Sequence, residues 1–172
     1  MTWQQPVARL IATTFETYDA PTPWTETRRR LRDAHDTYWL ATTRPDGVPH
    51  VRPILGVWVD ERLHFVSGSA TRKTGHLAAS PEVTVTVSAD GLDLVVEGRA
   101  ERVEDPALLR RVADEYARKY GWQATPRDGA FYDTEGAPTA GPPPYEVYQL
   151  TLTRVLGFPA GESFSPTRWT SQ

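Results

Sequence analysis

The sequence predicts a mainly β protein, a small antiparallel barrel carrying a few short helices. Three observations point there. Apolar and polar residues alternate in segments of strand length, as in Val83-Thr84-Val85-Thr86-Val87-Ser88. Turn signals separate those segments at short intervals: Pro45-Asp46-Gly47, Asp60-Glu61 and Ala89-Asp90-Gly91. A chain of 172 residues, 39% hydrophobic, fills one core, and two full domains would be cramped.

Taken in order, residues 1–35 read as an arm and a helix. Trp3, Phe15, Tyr18 and Trp24 make the arm too aromatic for a disordered tail. It is expected to lie on the body or on a partner subunit, with a helical turn near Pro6 to Ile11. Thr25 reads as the N-cap of a helix over Glu26 to Ala34, anchored by Leu31. Arg28, Arg29, Arg30 and Arg32 on that helix form either a solvated face or an anion-attracting rim.

Residues 36–158 carry the barrel. Tyr38 to Thr43 is a strand by composition. Val48 to Val59 returns as the second, and Leu63 to Ser67 follows as the third member of a meander. Pro49 and Pro53 cannot donate to a ladder, so the second strand needs an edge, a bulge or a ligand there. Gly68 to Pro81 is a loop entering a short helix, which Pro81 ends. Val83 to Ser88 and Leu92 to Val103 are strands, with Gly98 marking a bulge or a close approach. Asp105-Pro106 opens a helix striped by Leu108, Val112, Tyr116 and Tyr120, and Gly121 closes it. Residues 122–144, rich in Pro and Gly, read as a loop or lid. Tyr145 to Phe158 is a last long strand, and residues 159–172 form a tail.

Composition narrows the chemistry. The chain has no cysteine, which excludes a disulfide framework, a thiolate nucleophile and a Cys-ligated zinc. His35, His50, His64 and His76 lack metal-ligand spacing, so no metal is expected, and His50 and His64 are expected to face each other across a hairpin. Lys and Arg number 19 against 22 Asp and Glu, a net charge of -3 that argues against nucleic acid as a partner. No apolar run approaches the roughly 20 residues that span a bilayer. The start, MTWQQPVARL, lacks the basic and apolar stretches of a signal peptide. A soluble cytoplasmic protein acting on a small-molecule substrate is expected.

The densest local signal runs from Ser67 to His76. Ser67, Ser69 and Thr71 supply hydroxyls, Arg72 and Lys73 supply charge, and the helix start supplies unpaired backbone N–H groups. Together these favour a phosphate, although the Walker order is missing. Arg52 sits mid-strand, where a lone charge is costly unless it meets water or an anion. No Gly-x-Ser-x-Gly elbow and no paired carboxylate stands out, so any chemistry is expected to belong to a bound cofactor. Tyr145, Tyr148 and His50 are the acid–base candidates, and no catalytic side chain is assigned.

These motifs have a familiar arrangement. Tyr38-Trp39-Leu40-Ala41-Thr42, Pro45-Asp46-Gly47-Val48-Pro49-His50, Val57-Trp58-Val59-Asp60 and Thr71-Arg72-Lys73 with His76-Leu77 and Ser80-Pro81 resemble the pyridoxamine 5'-phosphate oxidase-like superfamily of flavin-binding split β-barrels. Arg154 to Phe158 and Pro166 to Trp169 resemble an actinobacterial branch many of whose members use the deazaflavin coenzyme F-420. The resemblance implies an antiparallel split β-barrel and a homodimer with cofactor sites at the subunit interface. It also implies an FMN- or F-420-dependent oxidoreductase that transfers hydride to or from a small organic substrate. In the matching positions, Arg52, Pro53, Ile54, Leu55, Gly56 and Val57 would lie along the cofactor ring. Val66 and Ser67 would close the third strand, and Thr71, Arg72 and Lys73 would hold the phosphate. Trp169 is expected either to cover the ring in a neighbouring subunit or to pin the tail. Arg28 to Arg32 would meet the anionic tail of F-420. Two departures count against vitamin B6 oxidation: Val57 replaces the family's lysine, and no Arg-x-His motif follows in the tail. A non-catalytic flavin- or haem-binding barrel is the alternative, with His50, His64 or His76 as axial ligand.

Overall fold

The computed structural model describes residues 3, 5–11, 20–35, 37–133, 141–160 and 165–171. Among them lie the strands β1 (Val7–Leu10), β2 (Tyr38–Thr43), β3 (Pro49–Ile54), β4 (Gly56–Val59), β5 (Arg62–Gly68), β6 (Glu82–Ala89), β7 (Leu92–Arg102), β8 (Thr125–Arg127), β9 (Ala130–Tyr132), β10 (Tyr145–Pro159) and β11 (Thr167–Thr170). The helices are α1 (Trp24–Asp33), α2 (Arg72–Ala79) and α3 (Pro106–Tyr120). The strand path is β1-β11-β10-β7-β6-β2-β3, and β5 and β9 branch from β10 to carry β4 and β8. Every pairing is antiparallel and the sheet does not close on itself, so the fold is the expected split barrel with a few short helices.

Turn chemistry sets this path. Gly47 adopts φ 81° after Pro45-Asp46, while Asp60 and Glu61 both take positive φ, the backbone of a tight hairpin joining β4 to β5. Gly98 is a close-approach point: a Cβ there would sit 2.4 Å from the Thr151 carbonyl. Opposite it the β7–β10 register slips between Leu152 and Arg154, the signature of a bulge. Asp105 caps α3 by accepting from Leu108 N–H at 2.7 Å, and Gly121 ends it at φ 70°.

Two cores result. The first holds Leu31, Tyr38, Leu40, Phe65, Val85, Val96, Leu150 and Trp169. The second lies under α3 and holds Val57, Val66, Leu109, Val112, Tyr116, Phe131, Tyr145 and Val147. Strands β5 and β10 serve both because successive side chains point to opposite faces: Phe65 and Leu150 enter the first core, Val66 and Val147 the second.

Five expectations change. Residues 7–10 form a strand on β11 rather than a helical turn, since an exposed edge offered itself to their alternating side chains. Helix α1 starts at Trp24 after Pro23, so Thr25 lies in its first turn and caps nothing. The stretch Val48–Val59 breaks at Leu55: β3 pairs with β2, and β4 pairs with β5. The proline-bearing part, β3, is the edge strand at the end of the path, as its missing N–H donors require. Residues 125–132 form a small hairpin within the predicted loop, turned by Asp128-Gly129 at positive φ. The buried stripe of α3 is Leu109, Val112, Ala113 and Tyr116, with Leu108 and Tyr120 half-buried at its margin. Phe15 and Tyr18 of the aromatic arm lie outside the described residues.

Candidate functional site

A cleft of about 540 Å³ opens between β3, the start of α2 and the chain leaving α3. It is lined by His50, Arg52, Pro53, Ile54, Leu55, Val66, Gly68, Thr71, Arg72, Lys73 and Trp122. Alternation along the edge strand β3 sends His50, Arg52 and Ile54 to the same face. A strand with one free side can thus place a guanidinium over the mouth of the barrel without losing a ladder.

The α2 end is built by a knot of hydroxyls. Thr71 caps the helix by accepting from Thr74 N–H at 3.4 Å, and its hydroxyl lies 3.0 Å from that of Ser67. Thr74 Oγ1 lies 2.8 Å from Ser67 Oγ and donates to the Gly68 carbonyl at 2.8 Å. Ser67 is fully buried in this knot, so it holds the loop behind the cleft and does not line it. The first turn of α2 carries no acidic side chain, which leaves its positive dipole end uncompensated.

The charges are arranged in the same sense. Most arginines elsewhere are tied to carboxylates, among them Arg28 to Glu61 at 2.8 Å, Arg111 to Asp60 at 2.6 Å and Arg154 to Glu97 at 2.6 Å. Arg52, Arg72 and Lys73 form no ion pair among the described residues; Arg52 donates to the Val51 carbonyl at 3.0 Å and Lys73 to the Val66 carbonyl at 3.4 Å. Burial pushes the Lys73 ammonium down to about 8. Burial, followed by Arg52, His76, Arg44 and Arg72, lowers the pKa of His50. The His50 ring meets His76 edge-on at 5.0 Å, and His76 Nδ1 lies 3.2 Å from Thr42 Oγ1. The other walls, Pro53, Ile54, Leu55 and Val66, are apolar. A phosphorylated, otherwise flat and apolar ligand matches this lining, and the volume falls in the usual range for small-molecule sites.

Helix α3 fixes the Leu55 break. Tyr116 OH donates to the Leu55 carbonyl at 2.8 Å, and Tyr120 OH and Lys119 Nζ donate to the Gly56 carbonyl at 2.8 and 3.0 Å. These are carbonyls that the interrupted ladder leaves to other donors.

Eight of the twelve residues singled out from sequence line the cleft; Gly56, Val57 and Ser67 lie behind it or in the second core, and Trp169 lies elsewhere. Of the two expectations for Trp169 the structure matches the second: the residue is fully buried, donates from Nε1 to the Thr22 carbonyl at 3.0 Å and packs on Trp24 at 6.0 Å. It pins the tail. Arg28, Arg29, Arg30 and Arg32 are held by Glu61, Asp90, Glu26 and Asp33, which makes them a paired helix face. His50 faces His76 rather than His64, because the break at Leu55 puts His50 on β3 while His64 lies opposite Val57 of β4. Tyr145 and Tyr148 are buried and bonded to Gly141 O and Glu146, away from the cleft lining. Sequence reading missed Trp122 and Gly68. Trp122 follows the C-cap Gly121 directly, the one local signal that the chain reverses there. No group of three or more His, Asp or Glu able to hold a metal occurs among the described residues.

The family model described as pyridoxamine 5'-phosphate oxidase matches residues 24–158. The chain belongs to the pyridoxamine 5'-phosphate oxidase family. Solved structures agree on the fold. A conserved hypothetical protein from Mycobacterium tuberculosis superposes with TM-score 0.65 at 21% identity, covering 85% of this chain and 90% of that one. An F420 reductase gives 0.52 at 25% identity, covering 73% and 92%. A pyridoxamine 5'-phosphate oxidase-related, FMN-binding protein from Nostoc punctiforme gives 0.56 at 18% identity, covering 88% and 91%. A comparison with curated protein sequences finds no match. Among the described residues, no helix of this family member is long and apolar enough to cross a membrane.

Proposed function

We propose that this member of the pyridoxamine 5'-phosphate oxidase family is a cytoplasmic oxidoreductase that binds FMN or coenzyme F-420 in the cleft and acts on a small organic substrate. The observation that carries the reading is the set of three cations without carboxylate partners, Arg52, Arg72 and Lys73, around one apolar-walled cleft. A buried anion is what such a set lacks. When bound, the cofactor would supply hydride chemistry.

The chain's own residues do the rest. Arg72 and Lys73, with the free N–H groups at the start of α2, would hold the phosphate. Pro53, Ile54 and Leu55 would lie along the ring and keep water from it. Arg52 and His50 would neutralise or hydrogen-bond polar atoms at the cleft edge. The printed names of the two cofactor-related neighbours, one an F420 reductase and one FMN-binding, support both cofactors. The experiment is a visible spectrum of the purified protein, followed by titration with FMN and with F-420. The double variant Arg72→Ala/Lys73→Ala should lose the cofactor and keep its fold by circular dichroism; unchanged occupancy would place the phosphate elsewhere and end the reading. Haem binding without turnover is the second reading, favoured by His50, whose Nδ1 is buried without a partner while the ring lines the cleft. A Soret band abolished in His50→Ala would select it.

A homodimer is part of the proposal. Register places Pro53, Trp39, Thr86, Val95 and Leu156 in one row across the outer sheet face, with Val51 in the next row. Trp39 is 47% and Val51 46% exposed, and the row runs into the cleft at Pro53. Apolar faces of this kind mark association sites. A monomeric mass in solution at micromolar concentration would refute it.

A further inference from the structure

We infer that Trp122 is the aromatic binding contact for the planar end of the ligand, and that the hairpin of residues 125–132 holds it there. The inference rests on the cofactor reading above and adds to it an aromatic wall which the cofactor motif does not contain.

The cleft has two chemically distinct ends. Arg72 and Lys73 make one end cationic. Trp122 is the sole aromatic six-membered-ring side chain in the lining, and Tyr116 links it to the Leu55 wall. It is half-buried, so part of the indole is covered and part is available. The covered part is held rigidly. Trp122 Nε1 donates to Asp133 Oδ2 at 2.7 Å. Its ring meets Tyr116 edge-on at 5.2 Å, Phe131 at 6.1 Å and Tyr145 at 5.6 Å. Phe131 belongs to β9 and pairs in register with Tyr145 of β10, so strand pairing joins the small hairpin to the barrel and sets both rings against Trp122.

Tyr116 ties the two walls together. Its ring abuts Trp122, and its hydroxyl holds the Leu55 carbonyl at 2.8 Å. The spacing between the indole and the Leu55 wall is thereby set by one rigid side chain on a helix. An indole locked by a hydrogen bond and three ring contacts loses little freedom when a flat ligand packs on it, which is the condition for a strong aromatic contact. The ligand class is a phosphorylated planar heteroaromatic, read at one end by charge and at the other by shape.

The test separates the ends. FMN, riboflavin and coenzyme F-420 are titrated against the wild type, Trp122→Ala, Trp122→Phe and Arg72→Ala. Riboflavin lacks the phosphate and reports on the ring end alone. Trp122→Ala should weaken FMN and riboflavin by the same factor, about tenfold, and Trp122→Phe by less than about threefold. Arg72→Ala should weaken FMN and leave riboflavin unchanged. If F-420 is the ligand that the wild type prefers, the same loss in Trp122→Ala and near-retention in Trp122→Phe are expected with it. Trp122→Phe keeps the ring packing against Tyr116, so it remains interpretable should the alanine variant fold poorly. Wild-type binding that Trp122→Ala leaves unchanged, or a loss in Trp122→Phe as large as in Trp122→Ala, overturns this inference and spares the cofactor reading. No binding of any probe to the wild type overturns both.

Discussion

Acidification from pH 7 to pH 5 should destabilise the fold through one side chain, His64. The residue is fully buried, its Nδ1–H donates to the Arg62 carbonyl at 3.1 Å, and its Nε2 is buried with no partner. Burial pushes its pKa down to about 4, against the smaller opposing pull of the Arg62 carbonyl and Asp60. An unfolded histidine titrates near 6.5. The unfolded chain therefore takes up the proton first, so the contribution is complete above about pH 7 and is lost as pH falls towards 4, below which the curve flattens. The gap between the two pKa values corresponds to about 3 kcal/mol in all, of which about 2 kcal/mol falls between pH 7 and pH 5. Urea midpoints followed by tryptophan fluorescence at pH 7, 6, 5 and 4 measure it, with His64→Gln as the variant that removes the titration and His50→Gln as a control for the other depressed histidine. The reasoning fails if His64→Gln keeps the wild-type slope, or if the His64 imidazole titrates near 6.5 in the native protein by NMR.

Two further outcomes follow from the same geometry. Gly157→Ala should destabilise the protein by about 1–3 kcal/mol in urea unfolding, because a Cβ there would meet the Trp169 ring at 2.7 Å; an unchanged midpoint would mean that the indole yields freely. Affinity for FMN or F-420 should fall as pH rises from 7 to 9, because the Lys73 ammonium, lowered to about 8 by burial, loses its charge in that window. Lys73→Arg, which stays charged, should flatten that dependence, and an equally steep fall in that variant would assign it to another group.

Local chemistry explains what could be read before the fold was known. Pro45-Asp46-Gly47 and Asp60-Glu61 name their own turns, and Asp105-Pro106 with Gly121 brackets α3, so those boundaries need no tertiary information. Arg52, Arg72 and Lys73 were conspicuous because charge in a strand or a cap asks for a partner. The break at Leu55 was hidden: Val48 to Val59 is continuously strand-like, and the donors that satisfy the broken ladder, Tyr116, Lys119 and Tyr120, come from a helix about sixty residues further on. The same break misdirected the pairing of His50. Trp169 looked available for a ligand because nothing near it in sequence says it is buried; its cover comes from Trp24, Thr22 and the missing side chain of Gly157. Trp122 was lost in a proline-rich stretch, since its place in the cleft depends on where α3 ends in space.

The pairing of β1 with β11 joins Val7 to Thr170, so the outermost seam of the sheet forms only when segments more than a hundred and fifty residues apart meet. Contacts of such separation are slow to close. Until they do, the outer edge of β11 from Thr167 to Thr170 is a bare template on which a second unfinished molecule could zip. Arg9 and Arg168 lie directly opposite each other in that seam, both exposed. Their repulsion costs a little in the finished protein. Their gain is protection during assembly: a charged border discourages strangers from taking the berth that the protein's own first strand arrives late to fill.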